Sequence, residues 1–172
     1  TLQRGPGRFR SGFNTGASTP GRCWQVANFA ELAVRLVGQR PQADVVLIGS
    51  GADREREAAL LALLPEQVRS RVTSYIGKTT LPELLGVIES LDLLVTGDTG
   101  PLHLAIALQV PTLSLFVACS AEFTGPYQDL QLHQVIDLSP EVTGGALLPM
   151  SAISVDEVFT RVMRRAPQQE PV

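Results

Sequence analysis

Apolar residues along this chain follow two alternating rhythms. Short unbroken runs at Asp44–Ile48, Asp92–Thr96 and Val110–Phe116 read as buried strands, with Val72–Ile76 and Gln134–Leu138 as further short ones. Between them the spacing becomes helical. Val26, Phe29, Ala30, Ala33, Leu36 and Val37 fall on one stripe, and a second helix is expected from Asp53 to Leu64. Thr80-Leu81-Pro82-Glu83 has capping-box spacing and opens a helix to Ser90; Gly100–Leu108 follows its strand directly. Ser154-Val155-Asp156-Glu157 is a second such box, opening a closing helix through Arg164. A short segment from Phe13 ends in the turn-forming cluster Asn14–Ser18. Strands alternating with helices in this way predict an α/β fold, a Rossmann-like parallel sheet with helices on both faces. Ligands of such sheets bind outside the carboxyl ends of the strands. Loops 14–24, 49–55, 77–80, 96–103 and 117–127 should therefore meet around one crevice.

Composition narrows the function classes. The chain has 172 residues, 44% of them hydrophobic, enough for one substantial core. The Arg- and Gly-rich residues 1–12 read as a disordered lead or linker remnant, 13–165 as the folded domain and 166–172 as a flexible tail. Lys and Arg number 14 against 17 Asp and Glu, a net charge of −3, which argues against a nucleic-acid or membrane-surface binder. No apolar run approaches the roughly 20 residues of a membrane span, and no secretory signal is visible. The two cysteines, Cys23 and Cys119, are too few for a disulfide framework and fit free thiols in a reducing cytoplasm. No Cys/His spacing suits zinc, so no metal is expected.

The most informative stretch is Gly97-Asp98-Thr99-Gly100-Pro101-Leu102-His103, directly after a buried strand. Pro101 fits a first helical turn, where its missing N–H is not needed. The turn should aim backbone N–H groups of Thr99 and Gly100, and the positive end of a helix dipole, at one point beyond the strand. Such a point holds anions, phosphates above all. Asp98 can hold a polar ligand there or simply form the turn. His103 can point back to the crevice or be a satisfied structural histidine.

Asp98 to Ala105, followed by Val110 to Phe116, resembles the signature of family-nine glycosyltransferases, the ADP-heptose:lipopolysaccharide heptosyltransferases and their relatives. Further elements are similar in the same order. Asn14-Thr15-Gly16-Ala17-Ser18 matches the first loop of the family's donor domain, and Arg22-Cys23-Trp24 a basic-x-Trp element. Gly51 to Glu55 matches a Gly-x-x-x-Glu segment, Thr124-Gly125-Pro126-Tyr127 a later short motif, and Met150 to Val158 the lead into the closing helix. The resemblance spans about Phe13 to Val162 and implies the C-terminal, donor-binding half of a GT-B glycosyltransferase. It also has departures. Val117-Ala118-Cys119-Ser120-Ala121 stands where the family usually has Gly-Pro-Thr-Asp-Pro, so a Gly and two Pro are lost and Ser120 replaces an acid. Gln25 stands for a proline and Pro149 for a frequent cysteine.

The resemblance implies inverting, metal-independent transfer of a sugar from a nucleotide diphosphate, ADP-heptose or a similar donor, to a lipopolysaccharide-type or other glycan acceptor. Catalytic roles fall on Asp98 and His103, and donor contacts on Arg22, Glu55, Thr99, Gly100, Ser18 and Gly51. Arg22 would contact the diphosphate or remain a solvated loop charge. Glu55 would take the ribose hydroxyls or merely favour a helix first turn. Thr79 and Thr80 could face the donor, though capping explains them; Trp24 is expected to pack the following helix onto the sheet. No cofactor beyond the nucleotide sugar is implied. The family's general base and its glycan or lipid-linked acceptor belong to an N-terminal domain with no counterpart in this chain. The alternative is a non-catalytic nucleotide-sugar binding or interaction module.

Overall fold

The computed structural model describes residues 8–166; residues 1–7 and 167–172, which carry most of the expected lead and tail, lie outside the described residues. Six strands form one sheet: β1 Arg10–Asn14, β2 Asp44–Ile48, β3 Val72–Ser74, β4 Leu93–Gly97, β5 Thr112–Phe116 and β6 His133–Asp137. All pairings are parallel and the order is β3-β2-β1-β4-β5-β6. Five longer helices connect or close it: α1 Val26–Gln39, α2 Arg54–Leu63, α4 Leu81–Glu89, α5 Gly100–Ala107 and α8 Val155–Arg165. Three single turns, α3 Glu66–Arg69, α6 Ala121–Thr124 and α7 Pro140–Thr143, complete the set. The expected strands and long helices are present with ends shifted by a few residues. The first strand starts earlier, inside the stretch expected as a lead, because Arg10–Gly12 pair with β2. Ala166, expected in the tail, is buried in the main core.

Strand periodicity sorts the core onto two faces. Phe13, Val45, Leu47, Leu93, Val95, Leu113 and Leu115 pack under α1, α2 and α8. Val46, Ile48 and Leu94 pack on the other face under α4 and α5, through Val87, Ile88, Leu91 and Ala105. Trp24 closes the first layer as expected: it is 2% exposed, meets Phe29 edge-on at 4.9 Å, and donates from Nε1 to the Ile153 carbonyl at 2.9 Å. That bond ties the segment before α1 to the segment before α8.

Two local devices set helix starts. The Glu83 carboxylate accepts from the Thr80 N–H and hydroxyl, both at 2.8 Å, and these bonds hold its pKa below the usual range. At α8 the Ser154 hydroxyl accepts the Glu157 N–H at 3.2 Å, while the Glu157 carboxylate pairs with Arg161 one turn on. Only half of the expected second box therefore forms.

The crossover from β3 to β4 is the demanding connection, since α4 must pass two intervening strands. It ends with Leu91 pressed on β1 at Gly12, where an added Cβ would lie 2.3 Å from Leu91 Cδ1 and 3.1 Å from Leu94 Cδ1. Gly12→Ala should lower stability by about 1–3 kcal/mol through overpacking. Urea denaturation of Gly12→Ala in a Leu91→Val background should show a smaller loss, and equal losses in both backgrounds would refute the contact.

Candidate functional site at the sheet switch point

Connections leave β1 and β4 in opposite directions, β1 toward β2 and β4 toward β5, so a crevice opens between their carboxyl ends. A buried polar network spans it. The Asn14 side-chain amide donates to Thr96 Oγ1 at 3.0 Å and Thr99 Oγ1 at 2.8 Å, and the two hydroxyls lie 3.0 Å apart. Thr96 in turn donates to the Gly97 carbonyl at 3.0 Å. Asn14 is 5% exposed and Thr96 fully buried, so the bonds are shielded from water.

The turn after β4 has the expected form. Thr99 is the extended residue before α5, and Pro101 occupies the first turn. The Leu102 N–H returns to the Thr99 carbonyl at 3.0 Å. The N–H groups of Thr99 and Gly100 have no acceptor among the described residues. The crevice beyond them has a volume of about 620 Å³. Asn14, Ser18, Asp98, Thr99 and Gly100 line it, with Ser50, Asp53, Thr79 and Thr80 opposite.

Arg22 reaches this turn from the other side. Gly97 permits the approach, since a Cβ there would stand 3.2 Å from the Arg22 carbonyl oxygen. The Arg22 guanidinium lies 3.5 Å from Asp98 Oδ2, with the two side chains 39% and 17% exposed. Behind the pair is a cavity of about 10 Å³, the size of one water, lined by Arg22, Asp98, Phe116, Cys119 and Met150. Asp98 thus borders both spaces.

Three of the expected site residues stand elsewhere. Glu55 is exposed on α2 and is not among the residues lining the crevice. Its neighbour Arg56 turns inward instead, donating at 2.8 Å each to the carbonyls of Thr15 and Trp24. Gly51 packs against the loop after β3, where a side chain on Gly77 (φ +62°) would meet Gly51 Cα at 2.8 Å. His103 is exposed on α5 and makes no hydrogen bond among the described residues.

Sequence reasoning missed Asn14 as a network centre and Asp53 as a loop clamp. Asp53 Oδ2 accepts from the Ser50 N–H at 2.8 Å and hydroxyl at 2.9 Å, and a Cβ on Gly16 would sit 2.2 Å from Asp53 Oδ1. Ser50 and Asp53 have capping-box spacing, which was the available signal. Cys23 and Cys119 are free thiols.

The divergent loop after β5 has its own support. The Ser120 hydroxyl accepts the Glu122 N–H at 3.2 Å, capping α6, and donates to Asp137 Oδ2 at 3.1 Å. Asp137 also accepts the N–H groups of Ala121 and Ser139 at 2.8 Å. Burial works to raise the Asp137 pKa, but the bonds from Ser139, Ala121 and Ser120 outweigh it and hold it below the usual carboxylate value.

Comparison with known proteins decides the family. The model of glycosyltransferase family 9 (heptosyltransferase) matches residues 5–143. The chain belongs to that family. It is 34% identical over 116 residues to lipopolysaccharide heptosyltransferase 2 of Salmonella typhimurium, covering 67% of this chain and 33% of that protein. It is 33% identical over 119 residues to lipooligosaccharide heptosyltransferase 2 of Haemophilus influenzae, covering 69% and 34%. The structure of E. coli ADP-heptose lps heptosyltransferase II superposes with a TM-score of 0.82 at 29% identity, covering 94% of this chain and 47% of that one. This family-9 chain thus spans about a third of the curated relatives it matches. Its Rossmann-like fold is one half of a GT-B glycosyltransferase.

Two outcomes follow from this geometry. Asn14→Leu removes two buried donors at similar volume and should cost about 2 kcal/mol by urea denaturation; an unchanged midpoint would rule out the network. Asp137, with its lowered pKa, stabilises the fold above the ordinary Asp value, and this contribution is lost as pH falls through the lower folded value. The stability gap between the wild type and Asp137→Asn should be widest at neutral pH and narrow below about pH 4. A gap independent of pH in unfolding scans would show that the loop does not depend on the charge.

Proposed function

We propose that this domain holds the nucleotide-diphosphate sugar of a glycosyltransferase, an ADP-linked heptose or similar, for inverting, metal-independent transfer to a glycan of the lipopolysaccharide type. One observation carries the reading: the signature turn Asp98–Gly100 faces a crevice of about 620 Å³ at the sheet switch point, with two backbone N–H groups free to receive an anion. The diphosphate lies against Thr99 and Gly100, where the α5 dipole favours negative charge. Arg22 exchanges its bond to Asp98 for bidentate bonds to the phosphates. Asp98, released, orients the transferred sugar through its hydroxyls. The nucleoside runs past Ser18 toward Ser50, Thr79 and Thr80 on the opposite wall.

The chemistry asked of these groups is modest and physical. The diphosphate leaves with growing negative charge, and Arg22 and the two N–H groups stabilise it where it develops. Deprotonation of the acceptor hydroxyl falls to a second domain, which we place over the crevice. Leu81, Phe123 and Tyr127, on segments that follow the carboxyl ends of strands, are 62%, 69% and 66% exposed and suit such a contact. Glu55, Gly51 and His103 act in this scheme only if donor binding or the second domain draws them in. We assign the reaction to the cytoplasm; no helix among the described residues is long and apolar enough to cross a membrane.

Calorimetric titration with ADP should show weak binding, with a Kd of about 1 mM or tighter. Arg22→Ala should weaken it about tenfold, whereas Asp98→Ala, which loses only the contact to the transferred sugar, should weaken binding of the ADP-sugar and leave that of ADP no weaker. Glu55→Gln separates ribose recognition from a merely favourable helix charge, since only the first predicts weaker binding. Absence of heat with any nucleotide at millimolar concentration would overturn the donor-site reading.

A further inference from the structure

The opposite end of the sheet carries a second polar cavity, of about 360 Å³, whose walls include Arg8, Arg10, Asp44, Arg71, Thr73 and Tyr75. It lies over the amino-terminal corner of β1, β2 and β3. The helix on this face, α4, leads across to β4, and Leu91 beyond its end meets β1 at Gly12. Arg10 and Asp44 are register partners on β1 and β2, and Val46 and Thr73 on β2 and β3, so these residues share one face.

The charges there do not balance locally. Asp44 takes both bonds of Arg8 Nη1, at 2.9 and 3.2 Å, and lies 3.3 Å from Arg71 Nη2. Arg71 also donates from Nε to the Ala43 carbonyl at 3.2 Å. Asp92 adjoins, accepting the Arg10 backbone N–H at 2.8 Å. Among the described residues, Arg10 Nη1 and Arg71 Nη2 are nevertheless buried without a hydrogen-bond acceptor, although Arg71 keeps its ion pair. Buried guanidinium donors left unmade are costly, so both side chains, which line the cavity, gain by turning toward an acceptor that enters it. That a chain of net charge −3 gathers three arginines around one wall-lining carboxylate makes the local field positive.

We propose that this cavity binds a small oxyanionic ligand, a phosphate ester or carboxylate, through Arg10 and Arg71, with Thr73 and Tyr75 supplying neutral hydroxyl donors. The site shares no residue with the crevice, so it stands whether or not a nucleotide sugar binds there.

Thermal unfolding of the full chain in inorganic phosphate, against chloride at equal ionic strength, tests this. Wild-type Tm should rise by about 3 °C in about 20 mM phosphate. General exclusion of phosphate from the surface raises every variant alike and is subtracted by comparison. Arg10→Gln should lose the specific rise, whereas Arg22→Gln, in the crevice, should keep it. Thr73→Asp, at an exposed strand position, supplies the missing acceptor from within. It should unfold no earlier than wild type in chloride and lose the response to phosphate. Citrate in place of phosphate distinguishes a carboxylate ligand, with the same variant dependence expected. No rise in the wild type, a full rise in both Arg10→Gln and Thr73→Asp, or a rise lost only in Arg22→Gln would overturn the proposal. So would co-sedimentation with phosphatidic acid vesicles without any shift in dissolved phosphate or citrate.

Discussion

The Asn14 amide, held between Thr96 and Thr99, is the contact on which the crevice depends. β1 and β4 are the two central strands, and the chain leaves them in opposite directions. No connection crosses the gap between their carboxyl ends, so side chains must join the two loops. Asn14 does this from the last residue of β1, and its two acceptors bracket the turn that carries Asp98. With Thr99 fixed, the N–H groups of Thr99 and Gly100 keep a set direction in the absence of ligand. Preorganised donors of this kind need little reorganisation when charge arrives.

The elements of the sheet were legible because each is marked locally. Strand runs, helical stripes and the Thr80 box all lie within one segment of chain, as does the turn at Asp98. What escaped was set by pairs distant in sequence. Asn14 reads as a turn-former until Thr96 and Thr99, more than 80 positions away, are folded beside it. Glu55 and Arg56 illustrate the same limit on a helix. Motif spacing singled out Glu55, but one residue of helix rotation places Arg56 inward, where the carbonyls of Thr15 and Trp24 need donors. Gly51 was marked by the same motif; its backbone is approached by Gly77, while a side chain at Gly51 itself would meet nothing within 4 Å. The early start of β1 was obscured by Arg8 and Arg10, whose charges suggested solvent although both line the sheet's far cavity.

Loss of the family's usual glycine and prolines after β5 did not leave the loop unsupported. Ser120 combines the cap of α6 with a bond to Asp137, and Asp137 gathers N–H groups from both sides of the loop. A charge-assisted clamp thus replaces the stiffness that proline would have brought. The cost is a dependence on ionisation that a proline-rich loop would lack.

The Arg22–Asp98 pair gives the crevice its adjustable part. At 3.5 Å and with Arg22 39% exposed, the pair is too open to be a strong source of stability. That weakness suits a site that must exchange partners. A diphosphate brings more negative charge than one carboxylate and offers the bidentate geometry a guanidinium prefers. In the donor complex we propose, Arg22 would move to the ligand at small cost, and the same motion would release Asp98 to accept hydroxyl donors. Had the pair been fully buried, breaking it would have stranded a charge and opposed binding by several kcal/mol. Partial exposure is thus what would allow one ion pair to serve both the empty crevice and the donor complex proposed for it.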